Sequence, residues 1–301
     1  MVKMINCSNI FVIVGSSNNI NLNEKEILIW DDKNRIPIYK LLIKKKVLNL
    51  EITSDKILVA CENIIYIFDL KYYQLIDIIK TGNNPKGLFG ISFRKRNILV
   101  YPSVEEIYGK LTIKNYDTKK YIYLNPHEND IINFTLSYNG NYLATQSNKD
   151  KMIKIFDAKT GNCLDKLSFA DEKINEIRCI SINPKNNYLL LSCKKGFIPI
   201  WSLKKAKDLI GSIIDVDDKV TNVKKGFFVK KFAAYNHVNL NELIKIDFDY
   251  EFVQPGDQNT LFIVTSNCIC FRIKFDAEKT KYDAGKFEIE EMKPLFDSNN
   301  I

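Results

Sequence analysis

A short motif recurs along the chain at intervals of about 40–45 residues, and this repeat restricts the possible folds more than any other feature. Each copy joins an apolar, an aromatic and a polar residue, with one variant at its first position. The copies are Ile29-Trp30-Asp31, Ile67-Phe68-Asp69, Asn115-Tyr116-Asp117, Ile155-Phe156-Asp157 and Ile200-Trp201-Ser202. Their aromatic residues are 38, 48, 40 and 45 residues apart. A repeat of this length holds one supersecondary unit, and such units bury their apolar faces against each other.

Short runs of β-branched and aromatic residues surround the motifs and predict strands. The expected strands are 10–14, 26–30, 56–61, 64–68, 97–101, 141–145, 187–192, 243–248, 260–265 and 269–273. With about four strands in each unit, the pattern predicts an all-β fold, a WD40-type β-propeller. Units of about 43 residues would fill the chain about seven times. We therefore expect seven blades in a single domain over residues 1–294, followed by a frayed tail over 295–301.

Composition excludes several kinds of site. Only two histidines are present, His127 and His237, so no centre can use three. The seven cysteines are odd in number and none stands in a CxxC motif, which predicts buried free thiols in a reducing compartment. No apolar run approaches the roughly 18–20 residues of a membrane-spanning helix. A phosphate loop and a nucleophile elbow are absent from the sequence, so we expect no enzymatic activity, cofactor or metal.

The charge balance admits two explanations. The chain has 44 basic and 36 acidic residues, for a formal net charge of +8. Such a surplus could favour acidic partners, such as phospholipid head groups or nucleic acid. The abundance of Lys, Asn and Ile is also what codon bias in an AT-rich genome would produce. Since no nucleic-acid-binding module is recognisable, we expect no nucleic-acid partner.

Two blocks are more specific than the repeat, namely Asn-Pro-Lys-Gly at 84–87 and Leu-Val-Tyr-Pro at 99–102. Generic WD40 repeats lack them. Further blocks are Ile27–Asp32, Asp55–Ala60, Asn63–Leu70, Leu143–Lys149, Ile153–Asp157 and Thr160-Gly161. Together, over residues 25–203, they resemble the PROPPIN family of seven-bladed, phosphoinositide-binding propellers.

The resemblance implies a non-enzymatic, cytoplasmic scaffold that associates peripherally with autophagosomal, endosomal or vacuolar membranes. Family members bind phosphatidylinositol 3-phosphate or 3,5-bisphosphate on the propeller rim. They recruit autophagy proteins such as the autophagic lipid-transfer protein, and we expect a monomer. Their hallmark, Phe/Leu-Arg-Arg-Gly, gives one arginine to each of two lipid pockets, because a guanidinium can hold a phosphate through two hydrogen bonds.

The hallmark arginines are absent from this chain. Leu167-Ser168-Phe169-Ala170 stands in the hallmark's place, and the two pocket blocks read Asp150–Lys154 and Gly196–Pro199. Because hydrogen bonds to charged groups contribute about 1.5–3 kcal/mol each, binding should weaken by several powers of ten unless lysines compensate. The matching residues that could still bind lipid are His127, Thr145, Ser147, Lys154, Lys194 and Lys195. Each of them could also be an ordinary solvated loop residue.

The family's membrane-inserting loop corresponds to residues 204–231. The candidate membrane-contact residues are Leu209, Ile210, Ile213, Ile214, Lys224, Lys225, Phe227 and Phe228. The aliphatic residues share one face of a short helix, and lysines beside aromatic residues suit an anionic membrane interface. Alternatively, residues 227–229 begin a strand with the lysines on its solvated edge. Acidic residues at 215, 217 and 218 would oppose an anionic lipid.

Two functional hypotheses follow. The first is a peripheral membrane scaffold that binds phosphoinositides in the PROPPIN manner. The second is a protein-interaction propeller that keeps the fold and has lost phosphoinositide binding. A propeller of either kind would be expected to work without a cofactor.

Overall fold

The secondary structure is entirely β in the part of the chain that the structure, a computed structural model, describes. That part comprises residues 1–5, 8–17, 21–92, 97–104, 109–150, 152–168, 177–185, 188–193, 197–203, 236–239, 250–255, 260–265, 269–275 and 287–294. It contains twenty-four strands and no helix, and the strands form six four-stranded antiparallel sheets. In each sheet the strands follow chain order, so every strand pairs with its neighbour in the chain. The all-β prediction is confirmed.

The first compact unit, Met1–Asp130, contains three sheets. The first sheet consists of β1 (Val2–Met4), β2 (Ile10–Val14), β3 (Glu26–Asp31) and β4 (Ile36–Leu42). The second consists of β5 (Asn49–Ile52), β6 (Lys56–Ala60), β7 (Ile64–Asp69) and β8 (Leu75–Lys80). The third consists of β9 (Gly90–Ile91), β10 (Ile98–Pro102), β11 (Leu111–Asn115) and β12 (Lys120–Leu124).

The second compact unit, Ile131–Ile301, contains the other three described sheets. The fourth sheet consists of β13 (Ile131–Leu136), β14 (Tyr142–Ser147), β15 (Met152–Asp157) and β16 (Cys163–Ser168). The fifth consists of β17 (Ile177–Ile182), β18 (Tyr188–Cys193), β19 (Phe197–Ser202) and β20 (Asn236–Asn239). The sixth consists of β21 (Tyr250–Pro255), β22 (Thr260–Thr265), β23 (Ile269–Phe275) and β24 (Phe287–Pro294).

The core lies on the middle strands, while the fourth strand of the first three sheets is largely exposed. In β6, Leu58 and Val59 are completely buried, whereas Leu75, Ile76 and Ile78 of β8 are 49%, 53% and 48% exposed. Neighbouring sheets share apolar clusters, since Ile29 of the first sheet belongs to the same cluster as residues of the second. Each buried aliphatic side chain contributes about 1.5–3 kcal/mol, so these clusters hold successive sheets together.

The polar residue of the repeat closes the turn between the third and fourth strands. The Asp69 carboxylate accepts the N–H groups of Lys71 and Tyr72 at 2.9 and 2.6 Å. The Asp157 carboxylate does the same for residues 159 and 160. Four residues after each aspartate the backbone turns to positive φ, at Tyr73 (58°) and Gly161 (78°). In these two sheets the repeat therefore encodes an Asx turn that reverses the chain after the third strand.

The third copy of the repeat is displaced by two residues. Asn115 accepts the N–H groups of Asp117 and Thr118, and Lys119 has a positive φ of 55°. Asn115 thus occupies the aspartate's place, and Lys114 occupies the aromatic's. The prediction that Tyr116 is the aromatic of the repeat is wrong, because asparagine can make the same turn as aspartate.

The expected strands lie where the structure has strands, except that residues 243–248 lie outside the described part. The seven-blade count and the single domain over 1–294 stay predictions, because six sheets are what the described residues contain. The tail over 295–301 also lies outside that part. Cys61 and Cys193 are buried as expected, but Cys163 is exposed.

Candidate functional site

The Asn-Pro-Lys-Gly block forms a closed connection between the second and third sheets. The Asn84 amide donates to the carbonyl of Leu88 at 2.9 Å and its Oδ1 accepts the Leu88 N–H at 2.7 Å. Gly87 has a φ of +62°, and a Cβ there would lie 2.7 Å from the Cβ of Leu48. Asparagine and glycine are therefore required for the shape of this connection.

The Leu-Val-Tyr-Pro block packs against the same connection. Its strand, β10, ends at Pro102, whose carbonyl accepts the N–H of Gly82 at 3.1 Å. A Cβ on Gly82 would lie 2.2 Å from the carbonyl oxygen of Ser103, so a larger residue cannot fit without moving the backbone. The two most specific blocks of the sequence thus have a structural role within the first unit.

Three of the candidate lipid-binding residues lie on adjacent strands of the fourth sheet. Thr145 of β14 stands directly opposite Lys154 of β15, and Ser147 ends β14. Thr145 is 0% exposed, and its Oγ1 donates to the Lys154 carbonyl at 3.4 Å. Ser147 is 1% exposed, and its Oγ accepts the Asp150 N–H at 3.1 Å. The Thr145 hydroxyl therefore stabilises the pairing of β14 with β15, and the Ser147 hydroxyl stabilises the turn between them.

A second lysine that the sequence did not single out stands beside Lys154. Lys166 of β16 is the direct cross-strand neighbour of Lys154, so two cations lie side by side on one face. The thiol of Cys163 lies near both lysines. Desolvation raises its pKa, the positive charges of Lys166 and Lys154 oppose that rise, and the carboxylate of Asp165 adds to it. This face of the fourth sheet therefore carries two lysines side by side.

The hallmark position is occupied by the end of β16. Leu167 is buried opposite Ile153, where it belongs to the core cluster of the fourth and fifth sheets. Ser168 is paired with Met152 at the last register position of the strand. The two residues that follow lie outside the described part of the chain. The arginines of the family would come directly after this buried leucine.

The remaining candidates are placed differently. His127 is buried in the first unit, on the connection after β12, and its carbonyl lies so near Gly109 that a Cβ there would be 2.1 Å away. Lys194 and Lys195 lie outside the described residues, and so does the whole set of membrane-contact candidates. That set comprises Leu209, Ile210, Ile213, Ile214, Lys224, Lys225, Phe227 and Phe228. The assignment of the six candidate residues to lipid binding stays a prediction.

Metal binding and membrane spanning are two further kinds of function to consider. In this part of the chain, no three His, Cys, Asp or Glu side chains come together in a way that could hold a metal ion. Nor does any helix there have the length and apolar character to cross a membrane.

Comparison with known proteins identifies the chain's relatives. The sequence model of the family described as PROPPIN matches residues 1–224. The chain belongs to the PROPPIN family. This PROPPIN is 23% identical to Autophagy-related protein 18e of Arabidopsis thaliana over 276 residues, which cover 91% of this chain and 71% of the relative. It is 29% identical to Autophagy-related protein 18 of Dictyostelium discoideum over 205 residues, which cover 67% of this chain and 54% of that relative.

Solved structures show the fold of this PROPPIN. The Atg21 chain in the complex of KlAtg21 with the coiled coil of AgAtg16 is similar with a TM-score of 0.74 at 14% identity, over 98% of this chain and 85% of that one. Such a likeness confirms the predicted β-propeller fold.

Proposed function

We propose that this PROPPIN is a non-enzymatic, peripheral membrane scaffold of autophagy and endolysosomal traffic. It binds phosphatidylinositol 3-phosphate or 3,5-bisphosphate through the face of the fourth sheet that carries Lys154 and Lys166. Family membership and the autophagy-related names of its relatives support the scaffold role. The observation that carries the lipid-binding role is the cross-strand lysine pair directly before the hallmark position.

The lysine pair suits an anionic ligand for a physical reason. Two lysines directly opposite each other on neighbouring strands can both donate charge-assisted hydrogen bonds to one phosphate. Lysine binds phosphate as a point charge, so we expect weaker selectivity among phosphoinositides than an arginine pair would give.

Flotation of liposomes tests this role. We expect the protein to float with vesicles that contain phosphatidylinositol 3-phosphate or 3,5-bisphosphate, and not with vesicles of phosphatidylcholine alone. Lys154→Glu and Lys166→Glu should each weaken binding by about tenfold or more, the loss of one hydrogen bond to a charged group. Lys159→Glu is the matched control, because Lys159 is exposed on the turn at the other end of the same hairpin.

The remaining candidates belong to the same test. Charge reversal at Lys194 and Lys195 should add to the loss if these residues share the site with Lys154. Replacement of Phe227 and Phe228 by serine should reduce flotation without changing lipid selectivity if the 204–231 segment inserts into the membrane. Equal flotation of wild type and Lys154→Glu would refute the proposed lipid site.

A second function is favoured by one observation. The core leucine Leu167 stands where the hallmark begins, and the three residues that follow it in the sequence, Ser168-Phe169-Ala170, include no arginine. We infer from this an alternative, a protein-interaction propeller without a lipid site. Its partners would be autophagy proteins such as the lipid-transfer protein, or a coiled coil like the one bound by KlAtg21. Failure to float together with capture of such a partner would establish this alternative.

The proposed location follows from either role. A scaffold of this kind works in the cytoplasm and associates with autophagosomal, endosomal or vacuolar membranes. A fluorescent fusion of the wild-type protein should form puncta, and Lys154→Glu should disperse them only if the lipid site directs the protein there.

A further inference from the structure

The outer edge of the second sheet combines an exposed apolar strand with an unusual carboxylate. Leu75, Ile76 and Ile78 of β8 are each about half exposed, at 49%, 53% and 48%. An exposed, apolar edge strand invites pairing with another chain, and natural proteins protect such edges. The side chain of Asp77 lies in the middle of this strand.

The backbone of β8 presents the Ile78 amide to the outside. The Thr81 N–H donates to the carbonyl of Asn63, on the side of β7. Amide groups alternate in direction along a strand, so the N–H groups of Ile79 and Asp77 also point towards β7. The N–H of Ile78 therefore points outward, where an added strand would accept it.

Asp77 already accepts that outward amide. Its Oδ1 accepts the Ile78 N–H at 2.8 Å. Its Oδ2 accepts the ammonium of Lys114 at 2.8 Å and the hydroxyl of Tyr116 at 3.2 Å. Lys114 lies on β11 of the third sheet and Tyr116 in the turn directly after it, so these two residues hold one carboxylate oxygen while the other accepts the outward amide of Ile78.

The same arrangement recurs at the equivalent position of the fourth sheet. Asp165 is opposite Ile155 in β16, as Asp77 is opposite Ile67 in β8. The Asp165 Oδ1 accepts the Lys166 N–H at 2.7 Å. Two sheets in different units thus use an aspartate to accept the amide of the next residue on the outer strand.

We propose that Asp77 closes the outer edge of the second sheet against strand addition, with Lys114 and Tyr116 as positioning residues. A carboxylate on an edge strand adds charge, which already disfavours pairing. Here the Asp77 carboxylate also accepts the Ile78 N–H, which is the donor that an added strand would need. The device is independent of lipid binding, since it lies in the first unit and uses none of the candidate lipid-binding residues.

Hydrogen exchange at single amides tests the proposal. In Asp77→Ala, measured at a concentration low enough to keep the variant monomeric, we expect the Ile78 amide to exchange about tenfold faster or more than in wild type, because its acceptor is gone. Asp165→Ala is the matched control, and should accelerate the Lys166 amide while leaving Ile78 unchanged. An unchanged Ile78 amide in Asp77→Ala would overturn the proposal.

Oligomeric state provides the second measurement. Light scattering should show self-association of Asp77→Ala and a monomeric wild type. In the double variant Asp77→Ala/Ile78→Pro the monomer should return, because proline has no N–H and blocks strand addition at an edge. Equal association of the single and double variants would refute edge pairing.

A further variant keeps the test valid if Asp77→Ala fails to fold. Asp77→Ala leaves Lys114 without its partner, so Asp77→Ala/Lys114→Met replaces the ion pair with apolar side chains. We expect this variant to fold, to self-associate as its concentration rises, and to expose the Ile78 amide while it is still monomeric. A folded, monomeric protein with a protected Ile78 amide would refute the proposal.

Discussion

Asn84 offers the sharpest test of how the specific sequence blocks act. It is 2% exposed and binds both backbone groups of Leu88, the N–H at 2.7 Å and the carbonyl at 2.9 Å. Asn84→Ala leaves these two groups without a partner. An unpaired buried backbone group costs about 1–3 kcal/mol, so the two together cost about 2–6 kcal/mol.

The lower part of this range is the better expectation. Residues 83, 85 and 86 of the connection are exposed, so water can reach part of the space that the side chain leaves. We therefore expect Asn84→Ala to lower the free energy of unfolding by about 2–3 kcal/mol. That is a large fraction of the about 5–15 kcal/mol that stabilises a typical domain.

Urea denaturation measures this loss. Trp30 lies in the first unit with Asn84, so its fluorescence in a Trp201→Phe background follows the unit that is perturbed. Asn83→Ala is the matched control, since Asn83 is exposed one residue earlier, and should change stability by less than about 0.5 kcal/mol. Equal midpoints for the two variants would refute the assigned role of Asn84.

Asn84→Asp adds a pH dependence to the same test. Its carboxyl can donate to the Leu88 carbonyl only when protonated, so folding raises its pKa above the unfolded value of about 3.9. The variant is therefore least destabilised below about pH 4, and its stability falls as the pH rises through the folded pKa. A penalty that does not vary with pH would show that the Leu88 carbonyl does not depend on this donor.

Three further predictions concern other parts of the fold. Lys119→Gly should raise the free energy of unfolding by up to about 1 kcal/mol in urea denaturation, because Lys119 has a φ of 55° and this left-handed conformation is strained for any residue with a Cβ. A lower stability of the glycine variant would contradict this strain. Burial raises the pKa of Asp77, but the hydrogen bond and charge of Lys114 outweigh it and hold the pKa below its usual value. The stability advantage of wild type over Asp77→Asn should therefore shrink as the pH falls through that lowered pKa, and an advantage unchanged with pH would contradict the assignment. Iodoacetamide should label the exposed Cys163 of the native protein before Cys61, because Cys61 is buried and burial raises the pKa of its thiol to about 11. Mass spectrometry of the peptides measures the order of labelling, and labelling of Cys61 first would contradict the prediction.

The strands were predictable from sequence because their pairing is local. Each sheet pairs strands that follow each other in the chain, so the alternation of apolar runs and turn residues specifies both partners. The turn conformations were not predictable to the same degree. Tyr73 and Lys119 have positive φ values without being glycine, and the four-residue distance from the turn aspartate or asparagine is the signal that could have found them.

A variant of the repeat near the C-terminal end could not be found by its period. Phe275 ends β23, the third strand of the sixth sheet, and is followed in the sequence by an aspartate, but Lys274 replaces the apolar residue of the motif. Phe275 stands 74 residues after Trp201, well beyond the interval of the other copies. A fixed period could not find it, whereas a search for the aromatic-aspartate pair at the end of an apolar strand could.

The lysine pair of the fourth sheet depends on a feature that counting residues cannot reveal. The register between β15 and β16 shifts at a bulge between Ile155 and Phe156. Phe156 is opposite Cys163, so regular pairing would place Lys154 opposite Asp165 and form an ion pair. The bulge adds one residue, and Lys154 stands opposite Lys166 instead.

An equivalent bulge in the second sheet explains why Asp77 and Asp165 occupy matching positions. There, Phe68 is opposite Leu75 and Ile67 is opposite Asp77, so Ile76 is the extra residue. The bulge therefore places Asp77 and Asp165 at equivalent positions, each before an amide on the outer strand. Deletion of Leu164 would remove the bulge residue and leave Lys154 opposite Lys166, so flotation should be retained if the lysine pair binds phosphoinositide. Exchange of the two neighbouring residues in Asp165→Lys/Lys166→Asp keeps the net charge but places an aspartate opposite Lys154, so it should abolish flotation. Retained flotation of the exchanged variant would show that net charge, and not the cross-strand lysine pair, attracts the lipid.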